Sequence, residues 1–290
     1  MKICRFDDDR VGIVLGEEVA DVTDALQPIA TAQYPFPRHD VLVANLERLR
    51  PAMDKLLPDA PRRRLADVQL LSPVANPGKI VCAPVNYADH LAEAMGEAEI
   101  NHGKSISTIA EAGLFLKATS ALQGCSHGVV IEHEQSRNDH EIELVAIMGT
   151  AGRNIRHDEA LSHIAGYAIG LDMTVRGPQD RSMRKSVDTF AILGPWMVTA
   201  DEIRDPEDLD LLLSVNGEVR QRANTRDLVM KIADLIAFAT SYYSLAPGDL
   251  LFTGTPAGVG AVQPGDRIQA HIDGIGSMDV PVRGKRGVAR

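Results

Sequence analysis

The chain has 290 residues, with 30 Lys and Arg against 40 Asp and Glu for a formal charge of −10, and is 44% hydrophobic and 4% aromatic. Those proportions belong to a folded globular protein and exclude a disordered or collagen-like one. The acidic balance leaves no basic footprint for a polyanion and few aromatic platforms for single strands, so no nucleic-acid partner is expected.

Cys4, Cys82 and Cys125 are an odd set of three, which argues against a disulfide scaffold and for reduced thiols in the cytoplasm. The opening MKICRFDDDR lacks the apolar core of a signal peptide. No later run approaches the roughly 18 apolar residues of a membrane span, so no membrane partner is expected.

Residues 11–16 and 17–22 read as two short strands about a turn. Leu42, Leu46, Leu49, Met53 and Leu56 recur at helical spacing, and Pro51 inside that stripe predicts a kink or a split. Pro58, Pro61, Pro73, Pro77 and Gly78 then punctuate the chain. They place a boundary near residue 72, giving a small N-terminal α+β domain over 1–72 and a larger domain over 73–290.

Beyond the boundary, 79–83, 114–116 and 128–131 are strand candidates and 89–97 is a short helix. Residues 209–215 and 218–221 flank Asn216-Gly217, which supplies the positive φ angles of a tight hairpin. Thr225 is expected to cap a helix whose buried face is Leu228, Ile232, Leu235, Ile236 and Ala239. The absence of a regular βαβ alternation argues for an α+β or mixed-β fold over a doubly wound sheet.

Three stretches carry the chemistry. In Asp139-His-Glu-Ile-Glu143, strand alternation turns Glu141 and Glu143 to one face, with Ile142 and Leu144 toward the core. Paired carboxylates of this kind are ordinarily a solvated face, and otherwise a cation bridges them. The apolar run 166–171 delivers Asp172 at a strand end, where site residues concentrate. Three carboxylates without an obligatory His or Cys suit Mg2+ or Mn2+ better than zinc. In Asn86-Tyr-Ala-Asp-His90-Leu-Ala-Glu93, His90 and Glu93 stand three apart on a helix and can touch. Such a pair is ordinarily a surface contact, but it also suits a base that activates water.

These stretches resemble the fumarylacetoacetate hydrolase family, in order over about 79–285. The resemblance is carried by Asn86-Tyr-Ala-Asp-His90, Leu114-Phe-Leu-Lys-Ala-Thr119, Asp139-His-Glu-Ile-Glu143, Gly166-Tyr-Ala-Ile-Gly-Leu-Asp-Met-Thr174 and Lys185-Ser-Val-Asp-Thr-Phe190. It continues through Leu193-Gly-Pro-Trp196, Val215-Asn-Gly-Glu218, Pro247-Gly-Asp249, Thr253-Gly-Thr-Pro-Ala-Gly-Val-Gly260 and Pro264-Gly-Asp266.

The resemblance implies an α+β chain with a mixed β-roll catalytic domain behind a small N-terminal domain, assembled as a homodimer. It implies Mg2+ or Mn2+ on Glu141, Glu143 and Asp172, a His90–Glu93 dyad on a lid, and an active-site Lys185. Gln179 and Thr255 match positions that hold the substrate or its oxyanion. Ala83 stands where one branch of the family has a further carboxylate, and the 94–113 stretch exceeds that of short members and leads out of the lid.

The expected function is a divalent-metal-dependent hydrolase that cleaves a C–C bond in a small 2,4-dioxo acid, such as an acylpyruvate or fumarylacetoacetate-like substrate. The alternatives on the same carboxylates are a β-keto acid decarboxylase of the oxaloacetate type and an enol–keto isomerase. A non-catalytic small-molecule binding protein is the alternative of another class.

Overall fold

The computed structural model describes residues 1–29, 34–96 and 108–285. Part of the 94–113 stretch, residues 97–107, lies outside them. Among the described residues the architecture is a twelve-stranded sheet, a five-stranded sheet and a three-stranded one, with few helices, the longest being Leu46–Leu56 and Ile232–Tyr242. The α+β, mixed-sheet expectation holds: most pairs are antiparallel, while Leu250–Phe252 with Ile80–Cys82, Gly276–Gly284 with Val129–Ile131 and Ala191–Thr199 with Leu122–Gln123 are parallel.

The centre of the large sheet is Ala191–Thr199, Ile164–Asp172 and Ile142–Met148, side by side in that order. All seven residues of Ile142–Met148 and all nine of Ala191–Thr199 are buried. A strand covered on both faces reads as a continuous apolar run, as these do, rather than as an alternation. Each Leu or Ile enclosed this way contributes about 1.5–3 kcal/mol of transfer free energy.

The large sheet takes in strands from both sides of residue 72, where the sequence suggested a boundary. Lys2–Phe6 pairs antiparallel with Ala191–Thr199, in the register Lys2 to Val198, and Leu70–Leu71 adds to its other end. The hairpin Arg10–Leu15 and Glu18–Asp21 continues outward to Arg62–Arg64. That last strand exposes three arginines, which blunts the free edge against further pairing.

Two local expectations change. The helical stripe divides at Asn45, into Val41–Ala44 and Leu46–Leu56, and Pro51 sits inside the second helix. Pro51 and Glu47, whose carbonyl loses its donor, both lie on the exposed face of that helix. Thr225 caps no long helix. It opens the 3-10 turn Thr225–Asp227, and its hydroxyl donates to Pro206 O (2.9 Å) while accepting from Leu209 N (2.9 Å). The hairpin at Asn216-Gly217 forms as expected, with φ of 53° and 84°.

Candidate active site

Glu141 occupies the gap between Asn138–His140 and Ile142–Met148, and Glu143 lies in the second of these strands. Ile142 pairs with Leu171, and Asp172 N donates to Glu141 O (2.9 Å), so the antiparallel register brings Asp172 beside both glutamates. One carboxylate oxygen from each of the three lies within 4.8 Å of the others, and all three residues are buried. The Glu-x-Glu face is therefore an enclosed cluster, not a solvated one.

Enclosing three carboxylates demands compensation. Lys185, at the end of the helix Arg181–Lys185, donates from Nζ to Glu141 Oε2 (2.6 Å) and Asp172 Oδ2 (2.7 Å). Lys117, fully buried, bonds the other Asp172 oxygen and donates to Phe190 O (2.7 Å). Arg176 bridges Glu141 Oε1 (2.8 Å) and Asp139 Oδ2 (2.8 Å), and Arg137 reaches the second Asp139 oxygen (2.8 Å).

Burial alone would raise the pKa of Glu141, but Lys185 and then Arg176 outweigh it and hold the group well below the usual carboxylate range. Burial would likewise lower Lys185, and Asp172 and Glu141 reverse that.

Glu143 is the exception. Gly254 N donates to its Oε2 (2.6 Å), but among the described residues no cationic side chain is bonded to it. Burial pushes its pKa well above the usual range, with repulsion from Asp172 adding to the effect. A buried, all-oxygen donor set with one carboxylate lacking a positive partner fits a hard divalent cation such as Mg2+ or Mn2+.

The helix Ala88–Gly96 carries His90 and Glu93 beside this cluster. His90 Nδ1 is 2.8 Å from Glu93 Oε2, and His90 is an electrostatic neighbour of Glu141. Glu93 also accepts from Gly258 N through Oε1 (2.8 Å). The 254–260 loop thus turns two backbone amides onto the protein's own carboxylates, Gly254 on Glu143 and Gly258 on Glu93. Asn86 anchors the start of the helix, donating to Met230 O and Thr253 O (2.8 Å each).

Thr255 is buried in the same loop and accepts from Gln221 Nε2 (2.8 Å). Gln179 stands apart from the buried cluster: it is exposed before Arg181–Lys185, with its carbonyl accepting from Arg184 Nε (3.0 Å).

A family model for the C-terminal domain of fumarylacetoacetate (FAA) hydrolase matches residues 79–283. The chain belongs to the fumarylacetoacetate hydrolase family. It is 52% identical over 285 residues to a maleylpyruvate hydrolase of Aquipseudomonas alcaligenes, covering 98% of this chain and 99% of that one. Its fold matches the crystal structure of a maleylpyruvate hydrolase from Sphingobium sp. SYK-6 in complex with manganese (II) ion and pyruvate. That match has a TM-score of 0.84 and 42% identity, over 99% of this chain and 100% of that one. A human mitochondrial oxaloacetate tautomerase, FAHD2A, is 35% identical over 246 residues, 80% of this chain and 74% of its own.

Sequence reasoning did not single out Lys117, Arg176, Asp139 or Gln221 in this family member. Lys117 carried a signal, a lone charge closing the apolar run Leu114-Phe-Leu. Gln221 carried one too: Arg220 and Arg222 on either side are exposed, so alternation turns Gln221 inward. Arg176 lies four residues past Asp172, and nothing in its spacing names Asp139 and Glu141 as its partners.

Proposed function

We infer that this protein is a divalent-metal-dependent hydrolase that cleaves the C–C bond between the carbonyl groups of an acylpyruvate of the maleylpyruvate type. The observation that carries the reading is the His90–Glu93 pair, bonded to Gly258 beside the three carboxylates. Hydrolysis needs a base for water, whereas decarboxylation of a β-keto acid does not. The likeness to two maleylpyruvate hydrolases over nearly the whole chain supports the substrate class, and the likeness to the tautomerase covers less of it.

When bound by Glu141, Glu143 and Asp172, Mg2+ or Mn2+ supplies Lewis-acid stabilisation of negative charge on the dioxo acid. Glu93 accepts the Nδ1 proton of His90, which leaves Nε2 as the lone-pair nitrogen that takes a proton from water attacking the distal carbonyl. Lys185 uses two N–H groups on Glu141 and Asp172, and its third, which makes no hydrogen bond among the described residues, can donate to the tetrahedral oxygen. Thr255 and Gln179 are assigned to substrate contacts. Water and the acylpyruvate give pyruvate and the acid of the acyl half.

The reading extends to a cytoplasmic homodimer in a catabolic role, with which three buried free thiols are in keeping. Among the described residues no helix is long and apolar enough to cross a membrane. The test is incubation of the purified protein with maleylpyruvate or an acylpyruvate whose acyl group is uncharged, with Mn2+ or with EDTA, following pyruvate through a coupled dehydrogenase. Mn2+-dependent pyruvate release is expected. Loss of CO2 from oxaloacetate, or enol–keto exchange, with no pyruvate from any acylpyruvate would overturn the reading.

A further inference from the structure

Gln221 is wholly buried and uses every hydrogen-bonding position of its side-chain amide. Oε1 accepts from Ile142 N (3.1 Å) and lies 3.0 Å from His140 Nδ1. Nε2 donates to Thr255 Oγ1 (2.8 Å) and to Pro256 O (2.9 Å). The orientation is fixed by its partners. A backbone N–H can only donate, so the atom facing Ile142 is the oxygen, and the atom facing the Pro256 carbonyl is the nitrogen.

Two consequences follow from this arrangement. Thr255 Oγ1 is an acceptor toward Gln221, so its own proton points elsewhere, and it makes no other bond among the described residues. Ile142 lies between Glu141 and Glu143, so the same amide ties the strand of the carboxylate cluster to the loop that carries Thr255.

We propose that Gln221 is a positioning residue that fixes the Thr255 hydroxyl as a hydrogen-bond donor toward an anionic oxygen of the substrate. This rests on the assignment of Thr255 to substrate contact made above. Apolar or acceptor-only groups in place of the Gln221 amide would free Thr255 to turn its proton away, and the loss would fall on substrate binding, not on the cation site.

The experiment is a double-mutant cycle on the Mn2+-loaded enzyme with Gln221→Glu and Thr255→Val. KM for the acylpyruvate and the inhibition constant of pyruvate are read in each variant, with the Mn2+ dissociation constant as control. Gln221→Glu keeps the acceptor for Ile142 N and His140 Nδ1 but cannot donate, and Thr255 then donates to it. Each single variant is expected to raise KM about tenfold, the scale of a lost hydrogen bond to a charged group. The double variant should match Thr255→Val alone, with Mn2+ affinity within about twofold throughout.

Independent, multiplying effects on KM would overturn the proposal while leaving Thr255 as a substrate contact. An unchanged KM in Thr255→Val would overturn both. Gln221→Met, which loses all four bonds, serves as the stability control. If its KM matched that of wild type in a folded protein, the positioning role would likewise fail.

Discussion

Lys117→Met tests how the buried charges are balanced. Methionine keeps the length and apolar stem of the lysine but donates nothing. Its introduction removes the Lys117 donor from one Asp172 oxygen and from the Met173 and Phe190 carbonyls, of which Phe190 O keeps the Met173 N–H (3.0 Å). Asp172 keeps Lys185 at 2.7 Å on its other oxygen, so the loss is one partner of a buried pair, not both. Breaking such a pair costs about 3–5 kcal/mol. A chain of this length unfolds with an entropy of roughly 0.6 kcal/mol/K, so the melting temperature should fall by about 5–8 °C in the metal-free protein. Because a cation adds positive charge at the same carboxylates, Mn2+ should raise the melting temperature of the variant more than that of wild type. Thermal unfolding by circular dichroism, with EDTA and with Mn2+, measures both differences. An unchanged melting temperature without metal would refute the pairing, and an equal Mn2+ increment in both proteins would refute the charge balance.

Gly258→Ala should lower kcat at least tenfold. A Cβ there would stand 2.0 Å from Arg220 O at a φ of +94°, so the loop must move and withdraw its amide from Glu93. Steady-state kinetics with kcat unchanged would refute that contact's role in orienting His90. The three thiols are buried and should resist a thiol reagent at about pH 8 until denaturant exposes them, which a colorimetric thiol count before and after unfolding checks. Burial pushes the Cys4 thiol up to about 12 and the Cys125 thiol up to about 11, above the ordinary range of a thiol. The unfolded chain therefore loses these protons first. Their contribution to stability is complete below about pH 9 and declines as pH rises toward 11–12. Urea midpoints at about pH 8 and pH 10 should show a smaller fall in Cys4→Ala/Cys125→Ala than in wild type.

Much of the site was legible in the sequence because its parts are local. Period-two alternation put Glu141 with Glu143, an apolar run ended on Asp172, and helical spacing joined His90 to Glu93, as the carboxylate cluster and the 2.8 Å contact bear out. What was not legible is the compensation. Lys117 lies 55 residues from Asp172, Gln221 lies 79 from Ile142, and Glu93 lies 165 from Gly258. These pairings follow from strand register and crossovers, which periodicity does not encode. The same holds for Lys2–Phe6, which sequence reasoning left without an element and which extends the sheet through Ala191–Thr199. The helical stripe does divide, but at Asn45, while Pro51 is carried on the exposed face of Leu46–Leu56.

We propose that His90 activates water for C–C cleavage beside the carboxylate cluster. The most direct measurement is the turnover of maleylpyruvate by Mn2+-loaded His90→Ala, with pyruvate release and oxaloacetate enol–keto exchange followed in parallel. The account predicts a loss of pyruvate release by a factor of about 10²–10⁴, the range for a general base, with Mn2+ affinity retained. Pyruvate release at the wild-type rate in that variant would contradict it.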